Sequence, residues 1–247
     1  MTTLVYSLPV GTAGLPLSCA ITFMHEIGHA VHSLLSETTY QHLSGTRGTV
    51  DFVEFPSHLF EHFVLDPACL ATYATHGKSG APMSPEVQGH SRSSRLRFAY
   101  LEAMQQLMYA AVDQAFYSCV PSSSSPASEV RAHLATSLGR FDAESSAGPV
   151  TALLGLSKPS KFDHLVHYGG SYYCYLFNRA LSAHVWDRAF REDPFAPGPG
   201  GRLREFLRSG SVVQSLDTIE ALLPPGAGGF RAEDVPLDAF LKQLSGE

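Results

Sequence analysis

Residues 17–35 form an apolar run with no proline, into which His25, Glu26, His29 and His32 are set. Apolar residues recur there every three or four positions, the period of a helix buried on most sides. Leu17, Ala20, Ile21, Met24, Ile27, Gly28 and Val31 supply that apolar surface. In an α-helix, residues i and i+4 share a face, with Cβ atoms about 5–6 Å apart. His25 and His29 can therefore direct two imidazole nitrogens at one cation. Glu26 stands about 100° further round by the helical pitch, beside that cation without having to ligate it. Metal-assisted hydrolysis needs this set: two ligands, and a carboxylate that takes a proton from water. Zinc lowers the pKa of a water it holds to about 7, so hydroxide becomes available near neutrality. Gly28 weakens the helix slightly but lets another backbone approach closely. The competing reading is a buried helix whose histidines only hydrogen-bond. With 12 histidines in the chain, pairs at i,i+4 also arise by chance. The intervening glutamate and the apolar surroundings favour the metal.

A catalytic zinc usually takes three protein ligands and keeps one position open. The candidate third ligand is Glu54 in Asp51-Phe52-Val53-Glu54-Phe55-Pro56-Ser57. It falls on the next predicted helix, after a gap long enough for a loop and an antiparallel return. A carboxylate on a solvated face is the other reading. Phe52, Val53 and Phe55 argue against it, because a carboxylate among apolar neighbours requires a partner. Asp51 or Glu61 would orient a ligating imidazole from outside the ligand set, and Asp51 serves equally as a helix cap. His32 reads either as a further outer partner or as a satisfied core histidine.

These segments resemble a known family. His25-Glu-Ile-Gly-His-Ala-Val-His32, Tyr40-Gln-His-Leu-Ser-Gly-Thr-Arg47 and Asp51-Phe-Val-Glu-Phe-Pro-Ser57 are similar to the thimet oligopeptidase family of zinc endopeptidases. Residues 40–47 are most similar to its mitochondrial intermediate peptidase branch. The resemblance implies His25, His29 and Glu54 as ligands of one Zn2+ and Glu26 as general base. His58 stands where the family usually has glutamine, which leaves the role of that position open. Phe162-Asp-His-Leu-Val-His-Tyr-Gly-Gly-Ser-Tyr-Tyr-Cys-Tyr175 resembles the family's second signature, a loop that covers the zinc. Matched residue by residue, it implies His164, Tyr168 and Tyr175 as donors to the substrate. An oxyanion develops when hydroxide attacks a carbonyl, and such donors lower that barrier. Tyr172 and Tyr173 read as packing residues.

The resemblance further implies a peptide or unfolded precursor as substrate, and, through the branch, processing of precursors imported into the mitochondrial matrix. It covers residues 1–247 but only the C-terminal catalytic part of the family's length. The opposite lobe of the family's channel would lie before Met1. The chain is then a fragment or a shortened relative, and association with the missing N-terminal lobe is expected. A truncated, non-catalytic remnant that binds zinc or peptide is the alternative function. A helical scaffold with accidental histidines is a third.

The rest of the sequence bounds these readings. The chain has 247 residues, is 44% hydrophobic and 16% charged, and suits one large domain or two small ones. A net charge of −6 gives no basic footprint, so nucleic acid is not an expected partner. No apolar run is long enough to span a bilayer, so no membrane partner is expected. Cys19, Cys69, Cys119 and Cys174 are widely spaced, with no C-x-x-C, and read as buried thiols in a reducing compartment. The first basic residue is Arg47, so neither a signal peptide nor a mitochondrial presequence is visible. The resemblance implies the mitochondrial matrix as the location although no presequence is visible, with the cytoplasm as the alternative. The expected class is mainly α, a multi-helical zincin-type metallopeptidase domain with at most a short strand at residues 4–9. Helices are expected over residues 17–35, 50–63, 67–76, 92–119, 128–138 and 172–191, with three shorter ones after a proline- and glycine-rich loop at 194–201. In the 92–119 helix, Leu96, Ala99, Ala103, Leu107, Ala110 and Ala111 are expected on the apolar face. Residues 121–126 read as a solvated loop.

Overall fold

The first described helix, α1, spans Leu17–Leu35 and starts where Pro16 holds an extended backbone at φ −65° and ψ 154°. These are the bounds that the apolar periodicity predicts. The computed structural model describes residues 3–5, 16–118, 129, 132, 133, 136, 164–212, 215–226 and 237–246. After α1 come a 3-10 turn at Gln41–Leu43, α2 (Val50–Val53), α3 (Phe55–Leu65), α4 (Pro67–Tyr73) and α5 (Pro85–Ser118). Further on are α6 (His164–His167), α7 (Tyr173–Val185) with a π-helical turn at Trp186–Phe190, α8 (Pro197–Arg208), α9 (Leu216–Glu220) and α10 (Leu237–Ser245). Among the described residues there is no strand, only an isolated bridge between Thr75 and Pro82, and the class is mainly α as expected. The expected strand at 4–9 has no regular structure at residues 4 and 5, and its remainder lies outside the described residues. So do Cys119, the loop at 121–126, most of the helix expected at 128–138, and Phe162. No described helix is long and apolar enough to cross a membrane.

The chain forms two compact units, one of Met1–Tyr100 with Phe177–Glu247 and one of Leu101–Leu176. In the first, α1 packs on α3 and α8. Its core gathers Phe55, Leu59, Leu181, Val185, Phe190, Leu207 and Ile219, all almost completely buried. Full burial of one such side chain contributes about 1.5–3 kcal/mol. Aromatic rings meet edge-on in this core, Phe55 with Phe206 at 5.4 Å and Phe63 with Trp186 at 4.9 Å. Cys19, Cys69 and Cys174 are buried thiols, and burial pushes the Cys69 thiol up to about 11.

Two departures from the sequence expectation trace to proline. The helix expected at 50–63 is two helices, broken at Glu54, whose backbone sits at φ −92° and ψ −4°. Pro56 has no N–H to donate to the Phe52 carbonyl four residues before it, and its ring crowds that carbonyl, so an uninterrupted helix through 52–56 is disfavoured. The loop expected at 194–201 instead yields the start of α8 at Pro197. The first-turn N–H groups of a helix have no intrahelical partner, so Pro197 and Pro199 forfeit nothing there.

α1 and α3 approach through Gly28. A Cβ on Gly28 would lie 2.6 Å from Ser57 Cα and 2.9 Å from the Pro56 carbonyl oxygen. Both are backbone atoms and cannot swing aside. Gly28→Ala gains about 1 kcal/mol of helix propensity, yet overpacking of this kind costs about 1–3 kcal/mol. The substitution should therefore destabilise the protein, and denaturant unfolding of the two forms gives the sign directly.

In the second unit, the C-terminal half of α5 buries Met108, Ala110, Val112, Asp113 and Ala115. Leu107, expected on the apolar face, is 40% exposed. The buried face includes Asp113, a carboxylate with no exposed surface. It accepts hydrogen bonds from the backbone N–H groups of Gly170 and Tyr172, each at 2.8 Å. Gly170 takes a φ of 77°, which residues with a Cβ rarely adopt.

Candidate metal centre

His25 and His29 lie on one face of α1, their rings edge-on with centroids 5.1 Å apart. The helix break before Pro56 turns Glu54 towards them. Glu54 Oε2 is 3.2 Å from His25 Nε2 and 3.1 Å from His29 Nε2. The three side chains, which are half-buried, form a group whose donor atoms all lie within 4.8 Å of one another. Ligands about 2.0–2.1 Å from a tetrahedral zinc are separated by about 3.3 Å, the edge of the tetrahedron. The two carboxylate-to-imidazole distances are close to that edge, so the residues present fit a zinc ion. Ser57 Oγ donates to Glu54 Oε2 at 2.9 Å, which holds the carboxylate in place.

Charge in this cluster is strongly coupled. Burial opposes ionisation of Glu54, but hydrogen bonds from His25 and His29 outweigh it and hold the carboxyl far below its usual range. Burial likewise opposes charge on His25. Hydrogen bonds to Glu54 and Glu61 prevail and raise that imidazole to about 9 in the metal-free chain. Glu61 is also held low, against its burial, by hydrogen bonds from His25 and His58. Glu26 is half-buried on α1, with no hydrogen-bond or ion-pair partner among the described residues.

Two residues stand in places the sequence left open. Glu61, read as a contender for an outer partner, has Oε1 2.7 Å from His25 Nδ1. His58, given no role, is buried, with Nδ1 2.9 Å from the same Glu61 oxygen. Residues three apart share a helix face, so His58 and Glu61 were legible as a pair, but not their meeting with His25. His32 is a core residue, 1% exposed, near the Gly210 carbonyl at 3.4 Å. His62 stacks on Trp186 at 5.2 Å.

His164, Tyr168 and Tyr175 gather in the second unit. The His164 ring centroid is 5.4 Å from that of Tyr168 and 5.9 Å from that of Tyr175. Tyr168 is 63% exposed, whereas His164 and Tyr175 are half-buried. Burial pushes the His164 imidazole below its usual value. Tyr172 packs between these rings, its hydroxyl donating to Gln106 Oε1 at 2.9 Å. Asp113, which ties down the Gly170–Tyr172 backbone, was missed. A carboxylate among Val112, Ala110 and Ala115 was its only sequence signal.

Comparison with known proteins agrees with the motifs. A model of peptidase family M3 matches residues 13–224. The chain is 36% identical over 207 residues to the mitochondrial intermediate peptidase of Malassezia globosa, covering 82% of this chain and 24% of that protein. It is 36% identical over 199 residues to the mitochondrial intermediate peptidase of Arabidopsis thaliana, covering 80% and 27%. Against the mitochondrial intermediate peptidase of Phaeosphaeria nodorum it is 37% identical over 171 residues, covering 69% and 21%. The chain spans about a quarter of the length of the curated relatives it matches. With the family model running from before α1 to the end of α9 and relatives this similar along most of the chain, the protein belongs to peptidase family M3.

Proposed function

We propose that residues 1–247 are the C-terminal catalytic part of a zinc metalloendopeptidase that hydrolyses peptide bonds in short or unfolded peptides. The approach of Glu54 Oε2 to both His25 Nε2 and His29 Nε2 carries this reading. His25, His29 and Glu54 hold one zinc ion. When bound, zinc supplies Lewis-acid polarisation and a water whose pKa is near 7. Glu26 takes the proton of the attacking water and delivers it to the leaving amine. Its carboxylate, unpaired among the described residues, is available for both transfers. Tyr168, Tyr175 and His164 donate to the oxyanion that develops on the scissile carbonyl. The mitochondrial relatives support a role on imported precursors in the matrix.

The test is cleavage of an internally quenched peptide by the purified chain, with and without a chelator. Cleavage lost on chelation and restored by stoichiometric zinc is the expected result. Stoichiometric zinc without any cleavage would instead support a remnant that binds zinc or peptide only.

A further inference from the structure

Two overlapping donor groups lie on α1 to α3: His25, His29 and Glu54, and His25, His58 and Glu61. They share His25, and distances separate their roles. In the first, carboxylate and imidazole atoms stand 3.1–3.2 Å apart, near the tetrahedral edge of about 3.3 Å that zinc imposes. In the second, Glu61 Oε1 is 2.7 Å from His25 Nδ1 and 2.9 Å from His58 Nδ1. These are lengths of charge-assisted hydrogen bonds, and both converge on one oxygen. An ionised carboxylate can only accept. Both Nδ1 atoms must therefore carry hydrogen, which excludes them as ligands in this arrangement.

We infer that Glu61 is a positioning residue that fixes the ligating tautomer of His25, and that His58 is the arm that holds Glu61 there. This rests on the reading of His25, His29 and Glu54 as metal ligands. With the Nδ1 hydrogen committed to Glu61, Nε2, the atom that faces Glu54, is the nitrogen left to ligate once its own proton is displaced. Carboxylates behind metal-bound imidazoles commonly set ring orientation and basicity in this way. Glu61 needs a second anchor, because a single hydrogen bond leaves a carboxylate free to rotate. His58 provides it from one helical turn before, on the same face of α3. His58 is 8% exposed, its ring edge-on to His25 at 5.1 Å. Its Nε2 is buried without a partner among the described residues, so Glu61 is the polar contact that orients it.

The experiment is a zinc competition titration of the full chain, with stoichiometry, for the parent and for His58→Leu, His58→Gln and Glu61→Gln. Nitrogen NMR of the metal-free proteins, recorded above pH 9 where His25 is neutral, reads its tautomer. His58→Leu should weaken zinc binding about 10–100-fold, the usual loss for an outer partner, and turn His25 into a mixture of tautomers. His58→Gln should return affinity to near the parent value, since its amide N–H reaches the same oxygen. Glu61→Gln should weaken zinc at least as much as His58→Leu. Unchanged affinity in His58→Leu, or two zinc ions per parent chain, overturns the inference. Should His58→Leu fail to fold, unchanged affinity in Glu61→Gln overturns it equally. A parent that binds no zinc removes the ligand reading itself, whereas a parent that binds one ion, with outer variants that match it, removes only this inference.

Discussion

Glu26→Gln is expected to leave the chain folded and carrying one zinc ion while peptide cleavage falls by about 10²–10⁴-fold, the range for loss of a positioned general base. Glutamine keeps the volume of glutamate and cannot take up a proton at neutral pH. Glu26 contributes no donor atom to either metal-capable group, so the substitution separates proton transfer from metal retention. Two measurements on one preparation are needed: zinc content after dialysis, and turnover of a quenched peptide. Full turnover with zinc in place would remove Glu26 from the mechanism. Loss of both would make it a ligand.

The second large effect is expected at Glu54. Its Oε2 is shared between two imidazoles and is the donor that α1 cannot supply for itself. Glu54→Ala should lower zinc affinity by more than the 10–100-fold typical of an outer partner, with cleavage lost alongside. The pH dependence of the parent follows from the same cluster. Below about 9 the metal-free chain holds His25 protonated, because Glu54 and Glu61 outweigh the burial that opposes its charge. An imidazole must be neutral to ligate, so zinc has to displace that proton. Affinity should therefore weaken as the medium is acidified from pH 9, by about tenfold per unit for one proton displaced. Removing Glu54 removes one of the two carboxylates that hold the proton. In Glu54→Ala the decline should begin at lower pH, and titrations at a series of pH values would show it. Identical pH profiles for the two proteins would place the displaced proton elsewhere.

What was legible in the sequence was what local pattern determines. The bounds of α1 follow from its own periodicity, and the spacing of His25 and His29 follows from the helical repeat. Glu54 stood out as a carboxylate among phenylalanines, but the break that turns it depends on Pro56 two residues on. That break was read as an uninterrupted helix because proline near a helix start is tolerated. His58 and Asp113 were not legible. Each takes its meaning from a partner far along the chain or on another helix, His25 for one and the backbone of Gly170 and Tyr172 for the other. Leu107 was misplaced because α5 turns Met108, Val112 and Asp113 inward instead, and Asp113 finds its partners on a segment far along the chain.

The bare backbone at Gly28 has a bearing on how the chain condenses. It allows α1 and α3, separated by only about twenty residues, to close on each other with almost no standoff. Contacts between near neighbours are the least costly to close and form early. The α1–α3 pair is then expected to belong to the folding nucleus, so Gly28→Ala should slow refolding as well as lower stability, which stopped-flow refolding of the two forms would read.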